Sequence, residues 1–233
     1  ISGMKISILN TPTFRYIFEI IVIVFSVTLS FYIQDVLNER EKNYLKDESL
    51  RGVLSDLNSD KNFFKGGVNR IERVIKSIDS IHNNIAGINA KTIHNSSRNY
   101  FGFVGSDRNY NSMVSTGAIE FIKNEELQEK INLYYDRIYS FLIDASKQDE
   151  KVYNEISKYL STQYTTEDLI LKSDGFFKYV YSESEFKKMQ KDKVLKNLLF
   201  DKKFNNKAYI MVMKLAIDRS NKPEELIKQE LNN

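Results

Sequence analysis

Cysteine is absent from this chain of 233 residues. Its absence excludes disulfides, thiolate nucleophiles and Cys-type metal sites. The two histidines, His82 and His94, stand apart without clustered acidic ligands, so no metal site is expected. Two Pro and nine Gly are few for this length. Strands and hairpins need frequent turn residues, so their scarcity favours helix. Neither sign of charge dominates: the net charge of +3 is too mild to imply a polyanion partner by itself. The chain contains no P-loop, G-x-G-x-x-G, H-E-x-x-H or G-x-S-x-G motif. With no paired nucleophile and base in view, the expectation is a non-enzyme with no catalytic residues and no cofactor.

With 42% apolar residues the chain can bury a core. Many Lys, Glu, Leu and Ile point to an all-α fold: an N-terminal transmembrane helix continuing into a helical cytosolic bundle. The expected organisation is a tail over 1–13, a transmembrane helix over 14–34 and a helical cytosolic domain over 35–233, with a stalk at 35–49. Ile1-Ser2-Gly3 before Met4 reads as a remnant of cloning.

The segment YIFEIIVIVFSVTLSFYI runs from Tyr16 to Ile33 and carries one carboxylate, Glu19. As a helix it rises roughly 27 Å, close to the hydrocarbon thickness of a bilayer. A lone strand could not cross lipid, because its backbone groups would be unpaired. Phe14, Tyr16, Phe31 and Tyr32 place aromatics at both ends. The rivals are a cleaved signal peptide, for which Thr28 and Ser30 make a poor cleavage site, and a buried soluble helix. Lys5 and Arg15 precede the span, whereas Arg40, Lys42, Lys46 and Arg51 follow it. That bias orients the C-terminal domain to the cytoplasm of a single-pass protein in the bacterial inner membrane.

At about 100° per residue from Glu19, the residues Arg15, Ser26, Ser30 and Gln34 share one face of the helix, with Thr28 opposite. Ionisable groups within a span normally face a bundle interior or a water-filled cavity. Glu19, Ser26, Ser30 and Gln34 are therefore the candidate oligomer seam or pore lining. The alternative stays open: Glu19 reaches the interface beside Arg15, and the span is a plain anchor.

Beyond the span, Asn38 to Ser49 is mostly polar and reads as a solvated stalk. Leu50, Val53, Leu54 and Leu57 restore helical spacing, and Gly66-Gly67 marks a break or hinge. Val68, Ile71, Val74, Ile75, Ile78, Ile81, Ile85 and Ile88 then form one apolar face, which His82 adjoins as a packing residue. Residues 89–112 read as one long irregular stretch. It carries Lys91, Arg98 and Arg108 among aromatics that either stack nucleotides or tuck into the core. Asn111 or Ser112 would cap a helix to Ile122, and Asn124 another with Glu125 and Glu126 in its first turn. Leu127, Ile131, Tyr134, Ile138, Phe141 and Ala145 mark its buried face, which Val152, Ile156 and Tyr159 extend. TTEDL and SDGFF read as turns. SESEF caps a helix through Leu199, and a further helix is expected from Lys203 to Arg219. Pro223 is placed at the first position of the last helix.

From Lys187 to Lys207 eight lysines face only Asp192 and Asp201, with Phe200 and Phe204 among them. Such a patch attracts phosphates, although lysine is also the ordinary surface residue of a helix. The candidate ligand-binding residues are Arg98, Arg108, Lys187, Lys188, Lys191, Lys196, Lys202, Lys203 and Lys207, with a nucleotide or single-stranded oligonucleotide as candidate ligand.

Two stretches, FRYIFEIIVIVFSVTLSFYIQDVLNEREKNYLKDESLRGVLSDL and YNSMVSTGAIEFIKNEELQEKINLYYD, resemble a family of uncharacterised bacterial single-span membrane proteins. The matching residues are Ser115, Gly117, Asn124, Glu126, Leu127, Tyr134 and Tyr135. Val36-Leu37-Asn38-Glu39 departs from the family's usual Asn-Trp-Asn-Glu. The family has no established active site, so the resemblance implies no catalytic residues. The layout is also similar to small transmembrane effectors of antiphage systems such as Hailong, in which a nucleotidyltransferase partner makes oligonucleotides that control a membrane-disrupting effector. No residue-by-residue match carries over.

Two functions are thus in view. One is a homo-oligomeric membrane effector in antiviral defence. Its spans form a gated bundle or pore controlled by a ligand on the cytosolic domain, and a nucleotidyltransferase is encoded alongside. The other is a membrane-anchored helical scaffold that binds a protein partner.

Overall fold

The computed structural model describes residues 12–83, 90–97, 100–171 and 177–232. Its dominant element is α1, a single helix of 71 residues from Pro12 to His82. The N-terminal part, through the stalk to Leu45, is exposed, and burial begins in earnest at Leu50. Leu50, Val53, Leu57 and Phe64 recur at helical spacing and are fully buried.

Gly66 and Gly67 do not break this helix, contrary to the sequence expectation. Gly67 serves close packing instead: a Cβ there would lie 2.5 Å from the Phe101 ring and 2.9 Å from Met213 Sδ. The continuous apolar contact on either side outweighs the roughly 1 kcal/mol helix penalty of a glycine.

Against α1 pack α3 (Arg108–Ser115), α7 (Lys193–Arg219) and α8 (Asn221–Leu231). The other long helix of the bundle, α5 (Tyr139–Gln163), packs against α7. Two apolar clusters follow one another along α1. The first joins Leu50, Leu57 and Phe64 to Leu127, Ile131, Tyr134, Met213 and Ile227. The second joins Val74, Ile78 and Ile81 to Ile156, Leu160, Leu195 and Leu199. The aliphatic face foreseen from Val68 to Ile81 is therefore core; Ile85 and Ile88 lie outside the described residues.

The stretch read as irregular contains a helix, α2 (Ala90–Ser97). The helix expected to run from a cap at Asn111 or Ser112 to Ile122 is instead α3, which starts earlier at Arg108, followed by a 3-10 turn over Ala118–Phe121. Gly117 separates the two in the left-handed conformation at φ 73°, which side chains rarely adopt. Asn124 caps α4 (Glu125–Asn132) as expected: its side chain accepts from the Leu127 N–H at 3.1 Å.

Between α4 and α5 lies a π turn, Leu133–Ile138. The wide turn inserts an extra residue and shifts the inward face by one position. Leu142 and Ser146 are buried beside the expected Phe141 and Ala145; Ala145 still packs half-buried on the core, whereas Phe141 is 40% exposed.

Two short strands, β1 (Asp168–Leu171) and β2 (Phe177–Val180), pair antiparallel, with Asp168 opposite Val180. They take up parts of the segments read as turns. The described fold is otherwise helical. α6 (Glu183–Lys191) is capped by Ser182 as expected, but it ends before Leu199. Asp192 terminates it and caps α7, accepting from the Val194 and Leu195 N–H groups. The expected boundary near residue 200 does not exist, because the buried run Leu195, Leu199, Lys202, Asn206 and Tyr209 crosses it without interruption. α8 begins at Asn221, so Pro223 is its third residue, still within the first turn where a missing N–H costs nothing.

Candidate functional site

Among the described residues one helix is long and apolar enough to cross a membrane. Its most apolar window has a mean hydropathy of 2.2, and none of that window is buried. A core helix of a soluble domain would be covered, so the buried-helix reading does not fit. Tyr16, Phe31 and Tyr32 are exposed at its two ends; the Phe14 side chain lies outside the described set.

Each polar group of the candidate seam finds a partner on its own helix. Arg15 Nε donates to Glu19 Oε1 at 3.2 Å. The Ser26 hydroxyl donates to the Val22 carbonyl at 2.7 Å, and Ser30 to the Ser26 carbonyl at 2.8 Å. Gln34 Nε2 donates to Asn38 Oδ1 at 3.0 Å. Thr28, on the opposite face, bonds back to the Val24 carbonyl. Carboxylate and serines still share one exposed face. The local hydrogen bonds of that face are made, and its carboxylate and hydroxyl oxygens keep further lone pairs.

The lysine-rich region mixes paired, buried and unpaired cations. Lys202 is fully buried and is not a surface cation; its Nζ lies 3.1 Å from Asp149 Oδ1. Burial pushes the Lys202 pKa down, against the pull of Asp149. Lys203 pairs with Asp79, Lys187 with Glu183 at 3.1 Å and Lys188 with Glu185 at 2.5 Å. Lys191, Lys196 and Lys207 have no ion pair among the described residues, nor does Lys193 between them. Phe200 and Phe204 stand 53% and 69% exposed among these cations. The His82 ring, exposed rather than packed into the core, lies 5.9 Å from that of Phe200.

The contacts of Lys203 with Asp79 and of Phe200 with His82 put this patch at the far end of α1. Along the helix axis that is about 70 Å beyond Ile33. Arg108 is not part of it. Its neighbour Asn109 is held by Asp56, which lies about 35 Å back along α1 from Asp79. Arg98 lies outside the described residues, as does the His94 side chain.

Sequence reasoning missed the buried carboxylates that tie down the segment 100–109. Asp60 accepts from the Ser106 N–H at 2.9 Å, the Tyr134 hydroxyl at 3.1 Å and the Tyr139 hydroxyl at 2.5 Å. Burial raises its pKa, with the same hydrogen bonds acting against the shift. Asp56 accepts from both the N–H and the side-chain amide of Asn109. Asp149 accepts from the Phe101 N–H, and the Ser146 hydroxyl from the Phe103 N–H. Phe101 and Phe103 accordingly pack on the core, so these aromatics are structural. The available signal was an aspartate recurring on the apolar face of α1, four residues before Phe64.

A cavity of about 350 Å³ lies between the π turn and the junction of α7 with α8. Lys130, Arg219 and Lys222 line it with Asp218 and Glu225. Nearly balanced charge gives it no preference for anions. No family model matches the chain, and no curated protein or solved structure matches it. The resemblances above therefore rest on the quoted residues and the layout.

Proposed function

We propose that the protein is a homo-oligomeric membrane effector. Its N-terminal helix crosses the bacterial inner membrane once, with the C-terminal domain in the cytoplasm, and the spans of several copies meet along the face of Glu19, Ser26, Ser30 and Gln34. A nucleotide or oligonucleotide at the lysine-rich end of α6 and α7 biases the bundle between closed and open arrangements. The ligand must bind the two states with different affinity to do so.

The observation that carries this reading is the unbroken α1. One rigid rod is both the exposed apolar segment and the backbone of the cytosolic core, so a tilt at its far end moves the segment in the membrane. Lys191, Lys193, Lys196 and Lys207, with exposed Phe200 and Phe204, supply cations and ring faces suited to phosphates and bases. The similarity of layout to antiphage effectors supports a role in antiviral defence, with a nucleotidyltransferase as the source of the ligand.

Ion flux through proteoliposomes containing the whole protein tests the proposal. Glu19→Leu should change the flux while the oligomer survives; unchanged flux from an intact oligomer would sink the pore. The local partners of Glu19, Ser26 and Ser30 favour one second reading, a scaffold tethered by a self-sufficient anchor. Replacing the span by an unrelated apolar helix separates the two, since a scaffold keeps its activity and a pore does not.

A further inference from the structure

The two sides of α1 differ from the stalk into the domain core. Measured from Glu19 at about 100° per residue, the buried residues Leu50, Val53, Leu57, Asp60 and Phe64 fall between about 140° and 220°. The domain's own contacts with the stalk come from that side too. Lys42 lies over the Phe121 ring at 5.9 Å, and Lys46 reaches Glu230 of α8 at 2.7 Å. The opposite face, around 0°, is left clear.

On that clear face stand Ser30, Leu37 and Tyr44, seven residues apart, with Ser26 before them and Ile33 between the first two. A seven-residue repeat is the signature of helices wound around one another in a left-handed supercoil. Ile33, Leu37 and Tyr44 are 50%, 53% and 67% exposed. Leu37 lies about 6 Å past Ile33, within reach of headgroups, but Tyr44 lies about 16 Å past it, in water. Lipid therefore covers the start of the stripe and not its end.

Charge chooses the occupant. Arg40, seven residues after Ile33, stands at one edge of the stripe near about −60° and Glu41 at the other near about 40°, and neither has an ion pair among the described residues. Copies held parallel by a common membrane bring the Arg40 edge of one against the Glu41 edge of the next, and a ring of such contacts closes on itself. Farther on, the same face passes through Arg51, Ser55 and Asn62, all exposed and polar, so the apolar contact ends near Tyr44.

We propose that the stalk is a parallel homo-oligomeric coiled coil whose seam is Ile33, Leu37 and Tyr44, braced by Arg40–Glu41 pairs between copies. It rests on the self-association read above and extends it out of the membrane. The stalk then holds the spans in register, and the pore-facing residues meet their own counterparts.

The absence of native cysteine makes the test direct. Single thiols are placed in the full chain at Leu37→Cys and Tyr44→Cys, and on the opposite face at Glu39→Cys and Lys42→Cys. Membranes containing each are treated with a short bismaleimide. The expected result is linked dimer at 37 and 44 and background at 39 and 42. Equal linking at all four positions, or none at 37 and 44 while the wild-type chain purifies as an oligomer, overturns the stalk seam but not self-association. A monomeric wild type overturns both.

Discussion

At Asp60 one carboxylate takes hydrogen bonds from two tyrosines on α4–α5 and a loop N–H, so its side chain joins three parts of the chain. Asp60→Ala leaves those donors buried without an acceptor, at about 1–3 kcal/mol for each group stranded. A large drop in the thermal midpoint of the purified protein is expected, with a smaller one for Asp60→Asn. Asp149 and Lys202 form the second buried polar link, both nearly inaccessible. Asp149→Ala should cost about 3–5 kcal/mol in denaturant unfolding, because the buried lysine and the Phe101 N–H both lose their partner. Combining Asp149→Asn with Lys202→Met should recover much of that loss. At the adjacent glycines the outcomes should diverge. Gly66 has open space around its Cβ position, whereas Gly67 has the Phe101 ring and Met213 within contact. Gly66→Ala is expected to stabilise slightly and Gly67→Ala to destabilise, read by the same thermal midpoint. Composition alone hid this difference: a Gly-Gly pair looks like a hinge, and the ring that demands one of the two comes from 34 positions farther along the chain.

Among the elements, those whose signals are local were legible. Asn124 with Glu125 and Glu126 announced α4, Ser182 announced α6, and the lack of Pro and Gly from Thr13 to Arg51 announced that the apolar segment continues as helix. The π turn was not legible, since nothing in Leu133–Ile138 distinguishes a wide turn from a regular one before the tyrosines pack against Asp60. Nor was the boundary at Asp192: a single capping aspartate inside a lysine run reads as one more surface charge until its carboxylate is seen accepting from two N–H groups. For the candidate ligand site, the sequence located the lysines but could not tell a surface cation from the buried Lys202. The last helix makes a prediction of its own. α8 is clipped to α1 by Glu224 with Lys61 and by Glu230 with Lys46. Hydrogen bonds from Lys228 and Lys61 hold the Glu224 carboxyl below its usual range. A depressed folded value means that stability is fully present above the unfolded value of about 4.3 and is lost as the pH falls through the folded one. The wild type should therefore exceed Glu224→Gln in thermal midpoint at neutral pH, and the gap should close on acidification below about pH 4.

For the molecule as a whole, the decisive arrangement is one rod with two environments. Its first part is exposed all round and apolar apart from the stripe of Glu19, Ser26, Ser30 and Gln34, and its last part is the spine of a helical domain. A cationic, aromatic patch sits at the end of α1 farthest from that apolar segment, about 70 Å along the helix axis from Ile33. If that patch is the sensor, Lys196→Glu with Lys207→Glu should abolish binding of a labelled oligonucleotide and leave the thermal midpoint within about 0.5 kcal/mol equivalent of the wild type. The central claim is self-association through the spans, and counting copies in the membrane tests it most directly. Single-molecule photobleaching of the full chain carrying one fluorophore should show several bleaching steps per particle, and Glu19→Leu should alter flux without changing that count. Particles that bleach in one step, at densities where a known oligomer bleaches in several, would contradict it.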